Sequence, residues 1–168
     1  MHFWEEIGRA KRVLVALPSS PDEVNALKRV VGRLVRVFTP GDIAFIALQG
    51  QQLPSEVEQS QTIQVSPDAL RFKRFPRQGL RAQVKARHAD AFIDLHCDFD
   101  LMSAALAVAS GARVRICLAH EQREPFFNLE VRTAVTAPPA RRYERLVKLL
   151  ESWRAAKEPA TLPPAGTR

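Results

Sequence analysis

Short, nearly unbroken apolar runs alternate along this chain with longer stretches in which apolar residues recur every three or four positions. Arg12–Leu17 (RVLVAL), Ile43–Leu48 (IAFIAL), Ala91–Leu95 and Arg113–Leu118 are the unbroken runs, the pattern of strands covered on both faces and hence of a parallel sheet. Thr62–Val65 predicts a shorter strand, and Phe127–Arg132 a last extended segment. Between the first two runs, Val24, Leu27, Val31, Leu34, Val35 and Phe38 fall on one helical stripe, with Lys28, Arg29, Arg33 and Arg36 on the other side. Ser20 lies three residues before Glu23, and Pro21 falls at the first helical position, which together predict a capping box and a helix running to Thr39-Pro40-Gly41.

The spacing also predicts helices over Gln78–Arg87, over Phe99–Ser110 and, through Tyr143, Leu146, Val147, Leu150 and Trp153, over Ala140–Lys157. Asp98 is the expected N-cap of the second of these, and Gly111 the residue just past its end. Residues 1–11 suit a short helix or arm with Phe3, Trp4 and Ile7 on one side. Leu53–Ser60 is too short and polar to assign, and the proline-rich 158–168 has nothing to bury, which predicts a disordered tail. Strands alternating with helices in this order predict one α/β domain over 12–157, a three-layer Rossmann-like sandwich with a mostly parallel sheet. Its ligand site is expected outside the carboxyl ends of the strands.

Composition changes this picture little. The 168 residues contain 46% hydrophobic and 26% charged residues, ordinary globular usage. No signal peptide and no run long enough to span a membrane is seen, so a cytoplasmic protein is expected. Cys97 and Cys117 fall at a strand end and inside a strand, and are expected as buried thiols. The net charge of +7 favours phosphate-bearing partners. That charge is concentrated in 71–87, where Arg71, Lys73, Arg74, Arg77, Arg81, Lys85 and Arg87 occur without an acid and with Phe72 and Phe75 among them. Basic residues interleaved with aromatics bind single-stranded nucleic acid through phosphates and stacking, while a solvated basic face is the simpler reading.

Candidate chemistry is sparse. No GxGxxG follows the first strand and no GxxxxGK[ST] exists, so neither of these phosphate cradles is present and no cofactor is expected. Asp22 and Glu23 occupy the helix start at a strand end, where a carboxylate can act as general base toward a hydroxyl, although capping and the helix dipole account for both. His96-Cys97-Asp98 places three potential ligands together, but no spacing of a metal site accompanies them. His96 is the member of that crossing expected to touch a ligand.

Ser19-Ser20-Pro21-Asp22-Glu23-Val24, Ile93-Asp94-Leu95-His96, Ser110-Gly111-Ala112 and Arg115-Ile116 resemble the N-terminal half of glycosyltransferase family 9, the heptosyltransferases of lipopolysaccharide synthesis. The family's turn reads Ser-Ser-x-Gly-Asp-Val, and by organisation the resemblance runs over about residues 11–150. It implies an acceptor-side domain with Glu23, or Asp22, at the position of the catalytic base, and with Ser19, Ser20 and His96 toward an anionic sugar or phosphate ligand. Two departures stand out. The family's Gly-Asp is Asp22-Glu23 here, and the crossing after His96 lacks its glycine and arginine pattern. The family's nucleotide-sugar donor binds largely in a second domain, so the expectation is a non-catalytic or partner-dependent binding module of bacterial envelope-glycan metabolism. Its partner would be a second chain or another copy of itself. The alternatives are a basic α/β nucleic-acid-binding protein using Arg71, Lys73, Arg74 and Arg77, and a small transferase with Glu23 or Asp22 as base.

Overall fold

The apolar runs become the strands of one parallel sheet in the computed structural model, which describes residues 3–39, 41–134 and 136–156. In chain order the elements are α1 (Phe3–Arg9), β1 (Arg12–Ala16), α2 (Pro21–Leu27), α3 (Val31–Phe38), β2 (Asp42–Leu48), α4 (Ser55–Glu58) and β3 (Gln61–Val65). They continue as β4 (Leu70–Arg71), β5 (Phe75–Pro76), α5 (Gln78–Lys85), β6 (Ala91–Asp94), α6 (Leu101–Ala109), β7 (Val114–Leu118), β8 (Leu129–Val131) and α7 (Pro139–Ala155). Six strands pair in the order β3-β2-β1-β6-β7-β8, every neighbouring pair parallel. The order reverses between β1 and β6, so this is the Rossmann-like arrangement, with its switch point at the carboxyl ends of those two strands.

Alternation along the central strands separates two cores. Val13, Val15, Ile93, Ile116 and Leu118 pack with residues of α1, α2, α3 and α7 on one face. Leu14, Phe92 and Cys117 pack with α5 and α6 on the other. Because both faces are covered, the strands need no polar alternation, which is why they read as apolar runs. Ala104 and Ala107 of α6 are fully buried, and their small side chains let the helix lie close on the sheet.

Four features depart from the sequence pattern or complete it. The helix expected from Ser20 to Phe38 is two helices, because Arg29 N and Val30 N donate three residues back, to Ala26 O and Leu27 O, and tighten the chain at 28–30. The apolar stripe survives the break, with Val24, Leu27, Val31, Leu34 and Phe38 all buried. Leu53–Ser60 contains a single helical turn, α4. The start of the basic stretch is an antiparallel ribbon, β4 with β5, joined by a turn in which Phe72 and Lys73 take left-handed φ of 50° and 59°. In α1, Ile7 is buried but Trp4 is 52% exposed, so the two do not share a packed side. The expected tail at 158–168 lies outside the described residues.

Candidate functional site

Two loops meet at the switch point, the turn from β1 into α2 and the crossing from β6 into α6. They are joined by one side chain. Glu23 Oε1 accepts a hydrogen bond of 2.6 Å from Cys97 N, across 74 residues of sequence. This overturns the capping box: Ser20 occupies the N-cap position, but its side chain makes no capping bond, and the Glu23 carboxylate reaches the neighbouring strand end instead. Pro21 does stand in the first turn, where its missing N–H costs nothing.

Beneath that bridge lies a buried charge network. Asp94, the last residue of β6, is 1% exposed, and its Oδ1 accepts from His96 Nδ1 at 2.6 Å and from His96 N at 3.2 Å. Arg123, in the short 3-10 turn Glu121–Arg123, is wholly buried. Its guanidinium donates to Leu118 O at 2.9 Å, to His96 O at 2.7 Å and to Asp98 O. Its Nη1 lies 3.4 Å from Asp94 Oδ2, an oxygen that makes no hydrogen bond among the described residues, so this contact is Coulombic.

The network favours the charged form of both partners. Burial works against a charged Asp94, but the His96 charge, its hydrogen bond and Arg123 outweigh it and lower the carboxyl pKa. Burial likewise opposes a charged His96, yet Asp94, its hydrogen bond, and then Asp100 and Glu23 hold the imidazole above its ordinary pKa. Asp94, Asp100 and Glu23 all lie close enough to His96 to act on its charge, and Arg123 stands beside Asp94.

Neighbouring groups brace the crossing. Tyr143, fully buried on α7, donates from its hydroxyl to Leu95 O at 2.8 Å, and Cys97 Sγ lies 3.8 Å from that hydroxyl. Cys97 and Cys117 are buried and unbonded, and burial first of all pushes both thiols up to about 12, which leaves no thiolate for nucleophilic work. The N-cap of α6 is Asp100, whose Oδ1 accepts from Ser103 N at 2.7 Å, and Asp98 is exposed. The helix begins later than the spacing implied because Phe99 is engaged by His120 and Phe126, at ring separations of 6.4 and 5.9 Å.

Not every expected site residue gathers at this mouth. Glu23 and His96 do. Ser19 instead lines a separate hollow of about 450 Å³ with Asn25, Lys28 and Gln51, whose amide nitrogen donates to Pro18 O at 2.6 Å. Ser20 and Asp22 are exposed at the start of α2, and neither lines that hollow. Of the basic candidates, Arg71 and Arg77 line a groove of about 940 Å³ with Arg81 and Lys85, while Lys73 and Arg74 stay on the exposed ribbon turn. Arg123 was not anticipated. The signal for it was Asp94: an aspartate inside an otherwise apolar strand requires a buried counter-charge. Among the described residues no cluster of His, Cys, Asp and Glu suits a metal ion, and no helix is long and apolar enough to cross a membrane.

No protein-family model matches the chain, and no curated protein matches it in sequence. Among solved structures it is similar to the crystal structure of the glycosyl transferase family 9 from Veillonella parvula DSM 2008, with a TM-score of 0.57 at 18% identity. The match covers 84% of this chain and 41% of that one. The likeness agrees with the α/β, Rossmann-like fold described above.

Proposed function

We propose that this domain is the acceptor-side half of a glycosyltransferase-like arrangement, a module of envelope-glycan metabolism that holds a hydroxyl-rich sugar at the mouth between β1 and β6. Transfer then requires a second α/β domain, in this or another chain, to bring a nucleotide-sugar donor. The observation that carries the reading is the Glu23 carboxylate bridging the switch point to Cys97 N, close enough to His96 to act on its charge. Carboxylates and an imidazolium at the carboxyl edge of a parallel sheet recognise sugar hydroxyls through charge-assisted hydrogen bonds. The fold likeness and its limited span of the other chain support the same division of labour.

In this arrangement Glu23 is the group closest to a general base, since it is half-buried at the mouth. With one oxygen bonded to Cys97 N, its first task here is positioning. The test uses the 168-residue chain with a panel of labelled nucleotide-sugars and free sugar acceptors. The expected result is no transfer by the chain alone, together with acceptor-dependent NMR shifts of the Glu23, His96 and Cys97 amides. Transfer by this chain alone, abolished in Glu23→Gln, would overturn the partner requirement. Acceptor shifts confined to other surfaces would overturn the site.

A further inference from the structure

The basic stretch of the sequence becomes a concave surface on the side of the sheet away from α7. Arg77, Arg81 and Lys85 follow one another at four-residue intervals along α5, from its N-cap to its last residue. They form a single stripe with axial steps of about 6 Å. Arg71 of the ribbon joins that stripe around the 940 Å³ groove, whose lining contains no carboxylate. A helix that stacks like charges four residues apart is weakened by them, so the stripe works against the fold unless something of opposite charge lies along it.

A second observation is independent of the charges. Phe72 is 95% exposed, and Phe75, in the groove wall, is 41% exposed. Phe72 is held outward by a turn whose two left-handed residues are not glycine, a conformation that carries a cost and is found where a surface has a use. Val108, 52% exposed, adds an apolar patch to the opposite wall. Through Lys85 and Gly111 the groove continues into a larger hollow of about 1210 Å³ at the amino edge of the sheet. That hollow holds Lys11, His88 and Arg113, and one of its acids, Asp90, is already bonded to Lys11 N and Arg12 N.

We infer that this path, from the β4–β5 ribbon along α5 to the amino edge of the sheet, binds single-stranded nucleic acid. Regularly spaced cations track a phosphate backbone, and exposed aromatics at one end provide faces for bases to stack on. A bilayer is flat and does not follow a concave lining, and a duplex hides the bases that Phe72 and Phe75 would stack against. The path passes the C-terminal end of α6 and reaches the amino edge of the sheet at Arg12, whereas the mouth lies at the carboxyl ends of β1 and β6, so binding here is separate from the sugar site.

The test is fluorescence anisotropy of a 5′-labelled oligouridylate with the full chain over a series of salt concentrations. Wild type is expected to bind with an affinity falling as about the third power of salt, since each of four phosphate contacts contributes about 0.7 to the slope. Replacing Arg71, Arg77, Arg81 and Lys85 by alanine is expected to weaken binding at least 30-fold at low salt and flatten the slope. Because Arg77 stands at the N-cap position of α5 and its Nε donates to Leu70 O, Arg81→Glu with Lys85→Glu, both on the exposed face of that helix, should give the same loss with an unchanged circular dichroism spectrum. Phe72→Ala with Phe75→Ala should cost about tenfold without changing the slope, as expected for lost stacking. Four alanines at Arg29, Arg36, Arg141 and Arg145, exposed on other elements, should change affinity less than threefold. The inference is overturned by an equal loss in that control, by absence of RNA binding at low salt, or by uptake on phosphatidylserine vesicles in preference to RNA.

Discussion

Replacing Arg123 by alanine tests the buried network most directly. The side chain has no solvent exposure, and its loss strips a charged donor from Leu118 O, His96 O and Asp98 O. Hydrogen bonds to a charged group are worth about 1.5–3 kcal/mol each, and removing one partner of a buried ion pair costs about 3–5 kcal/mol. These figures overlap rather than add, because the same guanidinium serves all of the contacts and Asp94 keeps His96 as a partner. The expected destabilisation is therefore about 4 kcal/mol, or a fall in Tm of roughly 8–16 °C for a domain of this size. Urea unfolding followed by tryptophan fluorescence and by circular dichroism gives the number, provided the two transitions coincide. The geometry also divides the cost. Since Asp94 Oδ2 is 3.4 Å from Nη1 and without a hydrogen bond, the cycle of Arg123→Ala with Asp94→Asn should show a coupling of only about 1 kcal/mol. A loss below about 1 kcal/mol for Arg123→Ala would refute the claim that this residue holds the crossing. A coupling of about 3 kcal/mol would place the stabilisation in the ion pair instead of the three carbonyls.

Other consequences can be measured on the same protein. The folded pKa of His96 is raised above its ordinary value of 6.5, so its contribution is complete below about that pH and is lost as pH rises through the folded value. The urea midpoint of wild type should then fall on going from pH 6.5 upward, and His96→Gln should flatten that fall; an identical pH profile in the variant would contradict the pairing. With their thiols pushed up to about 12 by burial, Cys97 and Cys117 should resist a thiol reagent at pH 8 for hours in the native protein and react in denaturant. Stoichiometric labelling within minutes would show the crossing to be open. A Cβ on Gly41 would sit 2.6 Å from both Lys11 O and Phe38 O, two backbone atoms that cannot step aside cheaply, so Gly41→Ala should cost about 1–3 kcal/mol. By contrast, Gly79→Ala in α5 meets nothing within 4 Å and should raise the urea midpoint, by up to about 1 kcal/mol of stability.

The sheet was legible because its central strands are buried on both faces, and such strands carry a signal no solvent-facing element imitates. β8 was harder, since Leu129 and Glu130 at the sheet edge are only partly covered and the segment is three residues long. The site was half legible. The pattern of Ser20 and Glu23 fits a local capping box as well as a long-range bridge, and three-residue spacing cannot distinguish a carboxylate turned to its own helix from one turned to Cys97. Asp98 and Asp100 compete as caps in the same way, and the choice is made by Phe99, whose ring neighbours come from the segment after β7. Arg123 sits in AHEQREP, a segment polar enough to read as a surface loop, and only the topology places it under the end of β6.

The Glu23–Cys97 contact has one more consequence. A ligand that draws the carboxylate away from the β6 crossing must break its bond to that amide, so occupancy by such a ligand and the release of a single N–H are thermodynamically linked. Slow hydrogen exchange at Cys97 in the empty domain, quickening as a sugar titrates the carboxylate away, would turn one backbone proton into a built-in gauge of binding. It would read the site directly, with no need for turnover or for a known donor.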